Sequence, residues 1–259
     1  MTASTRSLAR RAFKPVYLLY YKLLFGRRFP FSRELAERVH AWERETGRGD
    51  APAAKEVWEE QYEKGHWELM RSFDEVARYS VIAGYVHHLK PGGSVLDVGS
   101  GEGLLADHLR PFGYSRYLGA DLSEAAIRQA AGRSDEATTF TAADAETYAP
   151  PGRWDAIVFN ECIYYFQDPL GTVRRYEQFL AEGGVFIVST FRSRRADIIV
   201  RRLLEVYRAI EETAVSNRKG TWTIRVIDPE KTRPGPEPAS AGRNPGGPRP
   251  GAAGSASGG

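Results

Sequence analysis

Three alternate glycines constrain this chain more than any other feature of it. They close the run Ser94-Val95-Leu96-Asp97-Val98 with the spacing Gly99-Ser100-Gly101-Glu102-Gly103, after which apolar residues recur at helical intervals. A short apolar run stopped by glycine reads as a buried strand, and the segment after it as a helix. Glycine in such a turn takes positive φ and brings the backbone close to a ligand with no Cβ in the way. The first helical N–H groups point into the same space. The chain therefore commits here to strand, tight turn and helix, with a polar ligand beyond the end of the strand.

The spacing also selects the ligand. A dinucleotide site needs G-x-G-x-x-G with a pyrophosphate on the helix N-terminus. Here the spacing is G-x-G-x-G, and Glu102 brings a carboxylate to the place a phosphate would occupy, so a phosphate-free ligand is expected. Two further acids follow in order. The run Tyr117-Leu118-Gly119-Ala120 ends in Asp121, and Asp144 lies in Ala142-Ala143-Asp144-Ala145-Glu146, 23 residues further on. These three sites together resemble the class I S-adenosylmethionine-dependent methyltransferases, over about residues 54–228. The resemblance implies S-adenosylmethionine as cofactor, with its ammonium near Asp97 and its amino-acid part over Gly99, Gly101 and Gly103. Its ribose hydroxyls would meet Asp121 beside Leu122, and its adenine would meet Asp144 and the backbone N–H of Ala145.

From Ser94 onward strand and helix patterns alternate, which in one sheet means parallel order with helices on both faces. Strands are expected over 94–98, 116–121, 137–141, 154–159 and 185–190, and helices over 102–110, 123–131, 168–182 and 194–211. Ser123 and Asp168 are natural N-caps, the latter followed by Pro169 at the first helical position. Residues 213–216 and 222–227, joined by Asn217-Arg218-Lys219-Gly220, read as a hairpin. The resemblance implies that this pair completes an α/β, Rossmann-like, seven-stranded and mainly parallel sheet.

Residues 34–93 read as a helical cap and linker ahead of the core at 94–230. A hinge by composition spans Thr46 to Pro52. A helix over 54–64 follows, with Val57, Trp58, Gln61 and Tyr62 on one side, and a second helix is opened by the capping box Ser72-Phe73-Asp74-Glu75. In the family such helices cover the cofactor. Residues 231–259 are Pro, Gly, Ala, Ser and Arg with almost no large apolar side chain, a composition expected to stay disordered.

Charge is segregated. Residues 1–33 hold eight of the 36 Lys and Arg and no acid, leaving 28 bases against 33 acids in the rest. The apolar run Val16 to Phe25 inside this arm is interrupted by Lys22 and is too short to cross a bilayer, which takes about 20 residues. An aromatic, basic segment suits an anionic membrane surface. Packing over the core or against a second copy fits equally, and no base-reading motif accompanies the charge, which argues against nucleic acid. The single cysteine, Cys162, excludes an internal disulfide and a Cys-cluster metal site, and the scattered histidines make no metal site. A cytoplasmic address is expected, with membrane association as one of the two readings of the arm; the oligomeric state is not set by the sequence.

Methyl transfer is an in-line displacement, so the protein mostly aligns the partners and, for a hydroxyl acceptor, provides a base. The acceptor side falls at Phe159-Asn160-Glu161-Cys162-Ile163-Tyr164-Tyr165-Phe166-Gln167-Asp168, which resembles the matching loop of small-molecule methyltransferases, nodulation-factor N-methyltransferases among them. Asn160 is placed with the cofactor residues. It is followed by Glu161 and Cys162 rather than by Pro-Pro, which argues against DNA or glutamine as acceptor. Glu161 and His66 are the candidate catalytic residues. The function expected is methyl transfer to an oxygen or nitrogen of a small-molecule, glycosyl or lipid-linked acceptor. The alternative is a non-catalytic S-adenosylmethionine-binding regulatory or assembly module.

Overall fold

Where strands and helices alternate in the sequence, the computed structural model alternates them too; it describes residues 54–232 and, before them, Arg38 alone. The basic arm, the hinge and the tail beyond residue 232 lie outside the described residues. Helix α1 (Lys55–Glu63) and a 3-10 turn (Glu68–Arg71) lead into α2 (Phe73–Leu89). Then come β1 (Gly92–Val98), α3 (Leu104–Leu109), β2 (Tyr114–Asp121), α4 (Glu124–Ala130), β3 (Thr138–Ala142), β4 (Trp154–Asn160), α5 (Pro169–Tyr176), β5 (Leu180–Phe191) and α6 (Arg194–Val206). The hairpin β6 (Ala209–Asn217) and β7 (Gly220–Ile227) and a short α7 (Pro229–Thr232) complete the described chain.

The seven strands stand in the order β3-β2-β1-β4-β5-β7-β6, with β7 antiparallel to both of its neighbours and all other pairs parallel. The order reverses between β1 and β4, and a crevice opens there beyond the carboxyl ends of the strands. Alternation along each strand divides the core in two. Leu96, Ile157, Phe159, Phe186 and Val188 pack with Val173, Tyr176, Ile199 and Leu203 of α5 and α6. Val95, Ala156, Val158, Val185 and Ile187 pack with Ile82, Val86, Leu105 and Leu109 of α2 and α3. The expected caps form: Ser123 accepts from the Ala126 N–H, and Asp168 from the Gly171 N–H.

Three expectations need correction. The helix expected over 194–211 ends at Val206, because Tyr207 is buried in the core in an extended conformation and β6 starts at Ala209. The helix expected over 168–182 stops at Tyr176 and becomes a 3-10 turn, so β5 begins at Leu180. Leu180 pairs with Trp154 before a bulge in which Gly183 takes a φ of 64°. The capping box does not close. Ser72 sits at the N-cap but accepts from Lys219, and Glu75 is held by Lys219 and Arg78.

Candidate active site

The turn after β1 has the strained geometry its glycines permit, with φ of 72° at Gly99, 54° at Gly101 and 80° at Gly103. Each glycine is required by a different neighbour. A Cβ on Gly99 would lie 2.5 Å from Cβ of Cys162, and one on Gly101 would lie 2.8 Å from the Tyr62 hydroxyl. Gly99 and Gly101 line a cavity of about 430 Å³, within the size range of small-molecule sites. Gly103 is not on its wall. A Cβ there would meet the Phe140 ring at 2.5 Å, so this glycine serves packing and the start of α3.

The acids divide in the same way. Asp121 and Leu122 line the cavity. Asp121 accepts the Gly101 N–H at 2.8 Å with one oxygen and the Ser123 N–H at 2.9 Å with the other, so it fixes the loop while facing the ligand space. Burial raises its pKa. Asp144 and Ala145 lie on the same wall, and Asp144 accepts the Glu146 N–H at 2.9 Å. Asp97 is buried beneath the loop and does not form part of the wall. One oxygen accepts the Tyr117 hydroxyl at 2.5 Å, the other has no partner, and burial pushes its pKa up to about 7.

On the other side of the crevice, β4 delivers Asn160 and Glu161 to the cavity wall. Glu161 has a φ of 59°, alone in the left-handed region among the described non-glycine residues. Its carboxylate accepts from Ser189 Oγ at 2.6 Å, the Tyr164 hydroxyl at 2.8 Å and the Phe191 N–H at 2.8 Å, which holds the strained backbone in place. Burial raises its pKa against the pull of Arg78 and these donors. Cys162 donates to the Val98 carbonyl at 3.0 Å, and burial pushes its thiol well above the usual range, so it packs rather than reacts. His66 is exposed and off the wall, which Trp67 lines instead.

Sequence reasoning placed Trp58 and Tyr62 on a covering helix and Tyr165 in the acceptor loop, but singled out neither Arg78 nor Arg71. Arg78, on α2, is buried on the cavity wall and bonds Glu75 and Asn160. Trp58, Tyr62, Trp67 and Tyr165 form an aromatic wall, with Trp58 edge-on to Tyr165 at 4.7 Å between ring centres. Arg71 pairs with Glu102, its Nε donating at 2.8 Å. The charge expected to repel a phosphate is therefore answered by a cation, and only the glycine spacing and the acids still argue for a phosphate-free ligand.

A family model described as a methyltransferase domain matches residues 66–226. The chain belongs to this family. The ribosomal protein L11 methyltransferase of Thermus thermophilus is 29% identical over 141 residues, 53% of this chain and 52% of that protein. The ubiquinone biosynthesis O-methyltransferase of Albidiferax ferrireducens is 33% identical over 114 residues, 41% of this chain and 45% of that one. The chain thus spans about half the length of the curated relatives it matches. Among solved structures, the N-methyltransferase NodS of Bradyrhizobium japonicum, in complex with S-adenosylhomocysteine, shares the fold. Its TM-score is 0.58 at 18% identity, with 68% of this chain and 98% of that one covered.

S-adenosylmethionine is accordingly the cofactor of this methyltransferase domain, and the residues present fit it. Ser100 Oγ and the second oxygen of Asp97 are buried polar atoms without partners, at and beneath the glycine loop. The oxygens of Asp121 retain lone pairs for ribose hydroxyls beside Leu122, and Arg78 places a buried cation on the same wall.

Proposed function

We propose that this methyltransferase transfers a methyl group from S-adenosylmethionine to an oxygen or nitrogen of a small molecule that presents a flat, unsaturated or apolar face. The single observation that carries the reading is the lining of the cavity, which combines Asp121, Asp144 and glycine backbone that suit a nucleoside with the rings of Trp58, Tyr62, Trp67 and Tyr165 and with Met70. Bound there, the cofactor supplies a methyl group on an already activated sulfonium leaving group. The chain's residues then have to hold, align and dry the site.

Asp121 and Asp144 hold the nucleoside in this reading, and Arg78 meets the carboxylate at the amino-acid end. The Asp97 carboxylate, buried beneath the glycine loop, would attract the ammonium from behind the cavity wall. Glu161 serves the acceptor: three donors fix its carboxylate, one lone-pair position remains, and its raised pKa suits it to take a proton from a hydroxyl. The aromatic wall would seat the acceptor by ring contact rather than by charge.

Labelled methyl transfer from the cofactor into a fractionated extract, with the product identified, tests the reading. A labelled ring-bearing small molecule is the expected product. Calorimetric binding of S-adenosylhomocysteine with no labelled product in any fraction would favour the non-catalytic binding module instead. With the acceptor in hand, Glu161→Gln should keep cofactor affinity and lose about 10²-fold or more in kcat. A variant that turns over at the wild-type rate would remove Glu161 as base and favour an amine that arrives neutral.

A further inference from the structure

We infer that Lys219, on the turn between β6 and β7, is a positioning residue that prepares Arg78 for the cofactor's carboxylate by holding Glu75 from the far side; this rests on the reading of Arg78 given above. The contacts run in one line. Lys219 Nζ donates to Ser72 Oγ at 2.8 Å and to Glu75 Oε1 at 3.3 Å. The other oxygen of Glu75 accepts from Arg78, at 3.3 Å from Nε and 3.0 Å from a terminal nitrogen. The remaining terminal nitrogen of Arg78 reaches the side-chain oxygen of Asn160 on the cavity wall.

Glu75 and Arg78 are each only 1% exposed, so their charge balance is held where an unmatched carboxylate is costly. Arg78 also interacts with the buried carboxylate of Glu161, and one guanidinium cannot offset two carboxylates. Lys219 brings the second cation. With it, the two acids and two bases balance before any ligand arrives, and Glu75 has one oxygen committed away from Arg78. Without it, the free oxygen of Glu75 turns toward Arg78 and competes there with the cofactor's carboxylate.

The turn is fastened for this task. Asn217 Nδ2 donates to the Asp74 carbonyl at 2.6 Å, and Arg218 pairs with the Asp74 carboxylate at 2.9 Å, both at the first turn of α2. Asp74 also lies 3.8 Å from Lys219 Nζ, so its charge is shared between two hairpin cations.

The test is calorimetric titration of the full chain with two probes: S-adenosylhomocysteine, and 5′-methylthioadenosine, a nucleoside thioether that lacks the amino-acid end. Lys219→Met, Lys219→Arg and Arg78→Met are compared with the wild type, and thermal unfolding is followed in parallel. Lys219 is about a third exposed on a turn, and the thermal unfolding curve shows whether each variant keeps the fold at the titration temperature. Lys219→Met should bind S-adenosylhomocysteine about fivefold or more weakly, bind 5′-methylthioadenosine within about twofold of wild type, and be rescued by Lys219→Arg. Equal weakening toward both probes, or no weakening toward either, overturns the inference. Arg78→Met separates the two levels. If it leaves the preference between the probes unchanged, the reading of Arg78 itself fails. If it abolishes the preference while Lys219→Met does not, Arg78 stands and only the role of Lys219 falls.

Discussion

An aspartate in water titrates near 3.8, whereas burial beneath the glycine loop brings Asp97 to about 7. Between those values the folded chain keeps a proton that the unfolded chain releases. Stability therefore falls as pH rises through this window, and the cost is fully present above about 7. Asp97→Asn keeps the shape and can still accept from Tyr117. Its melting temperature should exceed that of the wild type at pH 8 and converge with it near pH 4, while S-adenosylhomocysteine binds several-fold more weakly. A lower melting temperature at pH 8 would mean that the carboxylate is stabilised by something other than the cofactor. At this scale the sequence was legible where a motif marked the residue. Asp121 and Asp144, which the resemblance singled out, both line the cavity, because strand ends and tight turns are locally encoded. Arg78 lacked a motif, yet a signal existed. Glu75, Arg78, Tyr79, Ile82, Ala83 and Val86 share the buried stripe of α2, and an acid and a base three residues apart on such a stripe mark a paired, buried charge. Gly103 misled, since glycine spacing does not distinguish room for a ligand from room for a Phe140 ring.

Helix α1 is the element that covers the site, as the resemblance implied for the helices ahead of the first strand. No residue of it is buried, and its ring-bearing side chains, Trp58 and Tyr62, line the cavity. It is fastened to α4 by polar contacts. Glu59 accepts the Glu124 and Ala125 N–H groups at 2.6 and 2.8 Å and the Ser123 hydroxyl at 3.2 Å, capping α4 from a neighbouring helix. Lys55 pairs with Glu124 at 2.5 Å. Removing a capping acceptor costs about 1 kcal/mol. Glu59→Ala should therefore speed dissociation of S-adenosylhomocysteine about fivefold in stopped-flow, with the melting temperature changed little. An unchanged rate alongside a large loss of stability would make α1 part of the core rather than a cover. Elsewhere elements were legible where glycine, proline or a cap punctuated them, as at Ser123, Asp168 and Pro169. The ends of α5 and α6 were misplaced because nothing local stops them. Leu180 is claimed by its pairing with Trp154, and Tyr207 by the core, and both are tertiary decisions.

For the whole molecule, the sheet separates what must be rigid from what must move. Strands β1, β4 and β5 are buried on both faces and carry the glycine loop, Asn160 and Glu161 at their ends. The catalytic groups of this reading thus stand on strands buried on both faces, while Trp58 and Tyr62 of the aromatic wall stand on α1, none of whose residues is buried. That contrast sets a clock. Backbone amides of β4 and β5 become accessible to deuterium only when the molecule unfolds globally, whereas those of α1 need only the release of a few surface contacts. In hydrogen–deuterium exchange followed by mass spectrometry, peptides covering Lys55–Glu63 should label within seconds to minutes, long before those covering Trp154–Asn160. Added S-adenosylhomocysteine should slow the first group by far the more. Uniform protection across both would show that helix and sheet open as one unit, whereas a graded pattern would time the interval during which the cleft stands ready to exchange its contents.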